Sequence, residues 1–247
     1  MTPIRWGVLG AANFALNHMA PAIHAARGAQ LAALATSDPA KAAPFQAFAP
    51  GLRVHDSYDA LLADPTIDAV YIPLPNHLHV DWTIKALGAG KHVLCEKPIA
   101  LSDGDFDALI AARDKSGKLA AEAFMIVHHP QFKRAQDLVQ SWAIGALRHV
   151  DAVFSFFNND TGNIRNQADA GGGGLRDIGV YTFGAARFVT GTEPDAVPYA
   201  KLQIENGVDV FAQVSAEFPK FTYNATVSMR MFTRQEITFP GEKGLLK

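Results

Sequence analysis

A chain of 247 residues is longer than one minimal domain needs, and 49% hydrophobic with 19% charged residues gives ordinary globular composition with ample core material. The formal net charge of −2 offers no general attraction for nucleic acid or an anionic membrane, so any phosphate recognition is local. A single cysteine, Cys95, excludes an internal disulfide framework and fits a reducing compartment.

Strand-like sequence begins at Ile4, with no charged n-region, apolar h-region or cleavage site before it, and the expected location is cytoplasmic. Every apolar stretch is interrupted short of a membrane span. In the first half, β-rich runs at Ile4–Leu9, 30–35, 69–74 and 93–95 lack polar–apolar alternation, as strands buried on both faces do. Helical patterns at 17–26, Pro39–Phe48, Tyr58–Ala63, 77–89 and Asp103–Ser116 separate them. Repeated βαβ units predict a doubly wound parallel sheet. Cys95 ends the apolar run HVLC and reads as a buried structural thiol.

The second half has a different texture. A strand is expected at 150–157, and a helix at 175–189 between a glycine run and Gly191. Val208–Phe218 alternates, with Val208, Val210, Ala212, Val214, Ala216 and Phe218 on one face, and 221–231 alternates in the same way. Flanking Pro219-Lys220, the two runs predict an antiparallel hairpin with one packed face. The domain change is placed near Phe124, separating the doubly wound domain, 1–124, from a second domain, 125–247.

Directly after the first strand, Gly10-Ala11-Ala12-Asn13-Phe14-Ala15 occupies the place of GxGxxG, with alanine at the second and third glycine positions. Gly10 permits the tight turn, Ala12 is small enough for a pyrophosphate to approach, and the following helix N-terminus presents free N–H groups. Alone the motif is weak, because small residues at a strand-to-helix turn are often only packing. Its strand–helix context raises it to a dinucleotide site that includes Asn13 and Phe14. At the end of the second strand Thr36 stands where an acid would select NAD. Thr36, Ser37 and Lys41 therefore favour the 2′-phosphate of NADP, while Ser37 or Asp38 could equally be an N-cap for the helix opening at Pro39.

Glu96-Lys97-Pro98, together with Leu74-Pro75-Asn76-His77-Leu78-His79, Glu122-Ala123-Phe124-Met125, His129-Pro130-Gln131, Asn163-Ile164-Arg165 and the run GGGGLRDIGVY at 171–181, resembles the glucose–fructose oxidoreductase/inositol dehydrogenase (Gfo/Idh/MocA) family from end to end. Tyrosine at the end of Asp177-Ile178-Gly179-Val180-Tyr181 is similar to the branch with NADP-dependent xylose and dihydrodiol dehydrogenases. The resemblance implies a Rossmann dinucleotide-binding domain over 1–124 followed by an α+β domain with an open, mostly antiparallel sheet over 125–247. It also implies cofactor contacts at Leu74, Pro75, Asn76, His79, Glu96 and Lys97, a cis Lys97–Pro98 bond, and a dimer or larger homo-oligomer formed through the open sheet face. Two departures stand out: Ile126-Val127 replace an arginine frequent in the branch, and the chain stops at Lys247 where members of the family continue. The expectation is that 125–247 lacks its C-terminal part, because the turn at 241–244 followed by two leucines reads as the start of another strand.

Hydride transfer from an alcohol needs a group that takes the hydroxyl proton. A phenol, with a reference pKa of about 10, becomes a usable base beside an ammonium, which a carboxylate can hold in place. With the resemblance, Tyr181 is expected to be the proton acceptor, Lys97 its partner and substrate-hydroxyl ligand, and Asp177 the orienting group at i and i+4 from Tyr181. Lys97 as the base stays open. Arg165 is a candidate substrate ligand, with a solvated loop arginine the bland alternative, and the glycine run is expected to let backbone approach substrate or nicotinamide. His79, His128 and His129 lack a third ligand at suitable spacing, so no metal is expected. The substrate class is a small polyhydroxylated molecule, with aldose-to-lactone oxidation or its reverse as the leading reaction. An NAD-dependent glycoside-cleaving relative and a non-catalytic cofactor-binding regulator are the alternatives.

Overall fold

The computed structural model describes residues 2–247 and divides into two compact units, Met1–Ala123 and Phe124–Lys247. The first unit alternates β1 (Ile4–Leu9), α1 (Ala20–Ala25), β2 (Ala29–Ala35), α2 (Pro39–Phe48), β3 (Arg53–His55), α3 (Tyr58–Ala63), β4 (Ala69–Ile72), α4 (His79–Gly88), β5 (His92–Cys95), α5 (Asp103–Ser116) and β6 (Ala120–Glu122). Its six strands run parallel in the order β3-β2-β1-β4-β5-β6. Neighbouring residues of one strand enter opposite layers. Leu9, Ala33, Val70 and Ile72 join the cluster around Leu61 and Leu87, whereas Val8, Leu34 and Tyr71 join the cluster around Phe45. Both faces are therefore apolar, which is why these strands show no alternation. Burying each large side chain contributes roughly 1.5–3 kcal/mol.

Several boundaries differ from the sequence-based expectation. Residues 15–19 form a π turn ahead of α1, and 76–78 form a 3₁₀ turn ahead of α4. β4 ends at Ile72, two residues early, because Pro73 cannot donate to the ladder. The edge strands β3 and β6 were not anticipated: at three residues each they are too short to carry a periodicity.

The second unit contains α6 (Pro130–Gln140), β7 (His149–Phe157), α7 (Val180–Thr190), β8 (Ala196–Glu205), β9 (Val208–Phe218), β10 (Phe221–Ser228), β11 (Arg230–Pro240) and β12 (Leu245–Leu246). The sheet order is β12-β11-β7-β10-β9-β8, with β7 and β10 parallel and every other pair antiparallel. The hairpin forms as expected, with Phe221 opposite Phe218. The alternating set on β9 is buried, and its Ala216 and Phe218 pack with Tyr223 and Ala225 beneath α6 and α7 through Phe132, Phe183, Ala186 and Val189.

The expected strand over 221–231 instead breaks at Met229, which is fully buried, and Arg230 opens β11, which crosses to pair with β7. β8 was not foreseen. Nine of its ten residues are exposed, so neither face leaves an apolar period. Leu245 and Leu246 do form a strand, against Pro240 and Phe239. No helix among the described residues is long and apolar enough to cross a membrane.

Candidate active site

In the first unit a cavity of about 550 Å³ opens at the carboxyl ends of β1, β2, β3 and β4. Its floor is the Gly10 turn. Gly10 has φ +99°, its N–H donates to Ala35 O at 3.0 Å, and a Cβ there would lie 3.0 Å from Leu74 Cδ2 and 3.3 Å from the Tyr58 hydroxyl. Only glycine keeps that turn open without strain. Of the anticipated cofactor residues, Gly10, Ala12, Thr36, Ser37, Lys41, Leu74 and Pro75 line this cavity. The β1 and β4 loops flank the point where the strand order reverses, where an open α/β sheet offers its ligand crevice.

Thr36 is 9% exposed and its hydroxyl serves its own turn, accepting from Asp38 N at 3.2 Å and lying 3.4 Å from Asp38 O. Ser37 and Lys41 are thus the less committed donors of that wall. The N-cap of α2 is Asp38, which accepts from Ala40 N at 3.0 Å. Sequence reasoning missed the wall formed by Asp56, Ser57, Tyr58 and Asp59 after β3, together with Trp82 from α4. Tyr58 and Trp82 meet edge to face at 4.9 Å, and burial pushes the Tyr58 phenol up. Recognising β3 would have exposed this wall, since each parallel strand feeds the crevice.

The other anticipated residues lie outside that cavity lining. Asn13 and Phe14 sit in the turn leading into α1, with Phe14 exposed and its ring 4.9 Å from His18. Asn76 opens the 3₁₀ turn. His79 is fully buried, with Nδ1 2.7 Å from Pro98 O and Nε2 2.7 Å from Leu74 O, so it ties the loop after β4 to the loop after β5. Glu96 accepts from the Tyr71 hydroxyl at 2.6 Å and from Lys97 N at 3.3 Å, and Lys97–Pro98 is cis as anticipated. Ile99 N donates to Glu122 Oε1 at 2.9 Å, so the loop carrying Lys97 is held from both sides. Cys95 is a buried thiol whose pKa burial pushes up to about 12.

In the second unit Asp177 and Tyr181 do not share one continuous α-helix. Residues 175–179 form a π turn, and Tyr181 is the second residue of α7. Such turns recur at functional sites. Asp177 is 8% exposed and its Oδ2 accepts from Arg165 Nε at 2.5 Å, which joins two anticipated site residues. The Tyr181 ring lies 5.6 Å from Phe124 and 5.5 Å from Phe154, neither of which was anticipated. Gly184 was the available signal: a Cβ there would lie 2.4 Å from Phe124 Cζ, and a mid-helix glycine marks such close approaches. The glycine run is closely packed from within the unit. Gly171 to Gly174 are buried, and a Cβ on Gly172 would lie 2.5–2.7 Å from three carbonyl oxygens of residues 164, 165 and 167. Internal packing by itself requires glycine at position 172.

A doubly wound sheet with a glycine turn over a cavity at its switch point defines a dinucleotide-binding domain, here followed by an open-sheet α+β domain. Residues 4–124 match the oxidoreductase family with an NAD-binding Rossmann fold, residues 132–247 match the GFO/IDH/MocA C-terminal domain, and the chain belongs to this family. It is 44% identical over 221 residues to an uncharacterised oxidoreductase of Rhizobium meliloti, covering 89% of this chain and 66% of the relative. It is 42% identical over 196 residues to D-xylose 1-dehydrogenase (NADP(+)) 2 of Haloferax volcanii, covering 78% and 58%. A 3-ketoreductase from Actinomadura kijaniata, solved with NADP and TDP-benzene, superposes with a TM-score of 0.91 at 35% identity, covering 99% of this chain and 75% of that one. The chain spans 58–66% of the length of the two sequence relatives named.

Proposed function

We propose that this chain forms the cofactor-binding and catalytic parts of an NADP-preferring oxidoreductase acting on a CH–OH group of a sugar or related diol. The observation that carries the reading is the cavity at the β1/β4 switch point, with Gly10 at its floor and Ser37 and Lys41 on the wall expected to meet a ribose phosphate. The cavity fits a dinucleotide: a side chain at Gly10 would enter it, and Ser37 and Lys41 supply a hydroxyl and a cation for a 2′-phosphate. When bound, the nicotinamide accepts or supplies the hydride.

Tyr181 takes the proton from the substrate hydroxyl. Lys97 stabilises the phenolate and binds that hydroxyl, while Asp177 orients the substrate with Arg165 as its ion-pair partner. The named activities of the xylose dehydrogenase and the 3-ketoreductase support this substrate class. The lone buried thiol supports a cytoplasmic location. A homo-oligomer formed through the open sheet face would bury Phe157, which is 63% exposed there.

The test is fluorescence titration of the 247-residue chain with NADPH and NADH, followed by a screen of pentoses, hexoses and a dihydrodiol. NADPH should bind more tightly. Thr36→Asp should shift the preference toward NADH by ~1–3 kcal/mol, the scale of a charged hydrogen bond. Equal affinity of the wild type for both cofactors refutes the NADP assignment.

A further inference from the structure

Asp209 belongs to none of the groups assigned above. It is the second residue of β9, partly buried, and it faces the start of the helix that carries Asp177 and Tyr181. Its Oδ2 accepts from Leu175 N at 2.7 Å, and the Gly174 amide bonds the same carboxylate. The fit is close enough to dictate sequence. A Cβ on Gly173, whose φ is +123°, would lie 2.4 Å from Asp209 Oδ1, and one on Gly174 would lie 3.2 Å from Oδ2.

The same turn reaches the proposed site through two backbone bonds. Gly173 N donates to Arg165 O at 3.0 Å, and Asp177 N donates to Gly173 O at 3.0 Å. Arg165 and Asp177 then close the ring through their ion pair. A carboxylate at a helix start is stabilised by the N–H groups and dipole it faces. Desolvation pushes the Asp209 carboxyl up, while the backbone donors and Arg176 oppose that shift. A capped N-terminus alone would serve folding. Here the cap holds the turn that sets Asp177 against Arg165, with Tyr181 four residues further along.

We propose that Asp209 is a positioning residue for the reaction: its carboxylate fixes the Gly173–Leu175 turn and, through it, the placement of Asp177 and Tyr181. This rests on the oxidoreductase reading given above. A displacement of about 1 Å in a catalytic group costs up to roughly 100-fold in rate. Asp209→Asn keeps the shape and loses the charge and one acceptor, so kcat should fall roughly 10- to 100-fold while the NADPH Kd, read in the other unit, stays within about twofold. Gly173→Ala should reproduce the kcat loss by pushing the carboxylate aside. Adding it to Asp209→Ala should lower kcat by less than it does in the wild type, because the clashing atoms are gone.

Hydrogen exchange supplies a readout that needs no substrate. Amides over 173–181 should exchange faster in Asp209→Asn, and those of β9 and β10 should not. Unchanged exchange over 173–181 overturns the proposal, as does a kcat within about twofold of wild type once that turn has opened. A wild type that binds NADPH but turns over no sugar or diol removes the oxidoreductase reading instead, and exchange then decides whether Asp209 fixes the turn.

Discussion

Removing the His79 ring separates a cofactor contact from a buried tie between loops. The side chain is fully buried, and its two nitrogens each lie 2.7 Å from a backbone carbonyl, Leu74 O and Pro98 O. Whichever tautomer it takes, the ring donates to at least one of these carbonyls. His79→Ala leaves that carbonyl dry, at about 1–3 kcal/mol, and opens a void of the size that costs about 2–5 kcal/mol in cores. Allowing for partial collapse of the site, a loss of about 3–5 kcal/mol is expected, lowering the melting temperature by roughly 10 °C. The assay is urea unfolding followed by far-UV circular dichroism, with NADPH titrated at low temperature where the variant remains folded. His79→Asn, which keeps one donor, should recover part of the loss. Stability within about 1 kcal/mol of wild type, combined with a large loss of NADPH affinity, would show that the ring meets the cofactor and would refute the tie.

Lys97→Ala and Tyr181→Phe should each lower kcat by roughly 10²–10⁴, the range of acid–base assistance, with the double variant little worse than the poorer single one; near-normal turnover of Tyr181→Phe in steady-state assays would leave Lys97 as the base. The Arg5 guanidinium, bonded to both Asp68 oxygens at 2.7 and 2.8 Å, holds that carboxyl down at about 2. Because the folded-state value lies below the unfolded one, this pair stabilises above pH ~4 and loses its contribution as pH falls toward 2. With both side chains more than a third exposed, solvent screening keeps the effect small, so Asp68→Asn should fall slightly below wild type in urea midpoint at pH 7 and converge with it near pH 2. Cys95, buried and with its thiol pushed up to about 12, should resist thiol reagents in the native state and react only on unfolding, which a colorimetric thiol assay reads directly.

Local chemistry made much of the architecture legible. Uninterrupted apolar runs such as Ala69–Ile72 suit a sheet covered on both faces, and the two-residue period of Val208–Phe218 suits a sheet covered on one. The Gly10 turn was readable because its place between strand and helix demands a positive φ, and Ser37 and Lys41 followed from the end of β2. Tertiary structure decided what pattern cannot encode. β3, β6 and β8 are held by neighbours across the sheet, so their own residues carry no period. The Tyr58–Trp82 wall joins two helices, α3 and α4, that follow different strands. The resemblance placed His79 beside the cofactor, and only the fold reveals that both of its nitrogens lie against buried carbonyls. The glycine run was read as a close approach of backbone, and the structure shows such an approach within the second unit. A missing Cβ announces that something lies near, and the partner, here the carbonyls of 164, 165 and 167 and the Asp209 carboxylate 35 positions beyond Gly174, is set by chain crossings that no local sequence records.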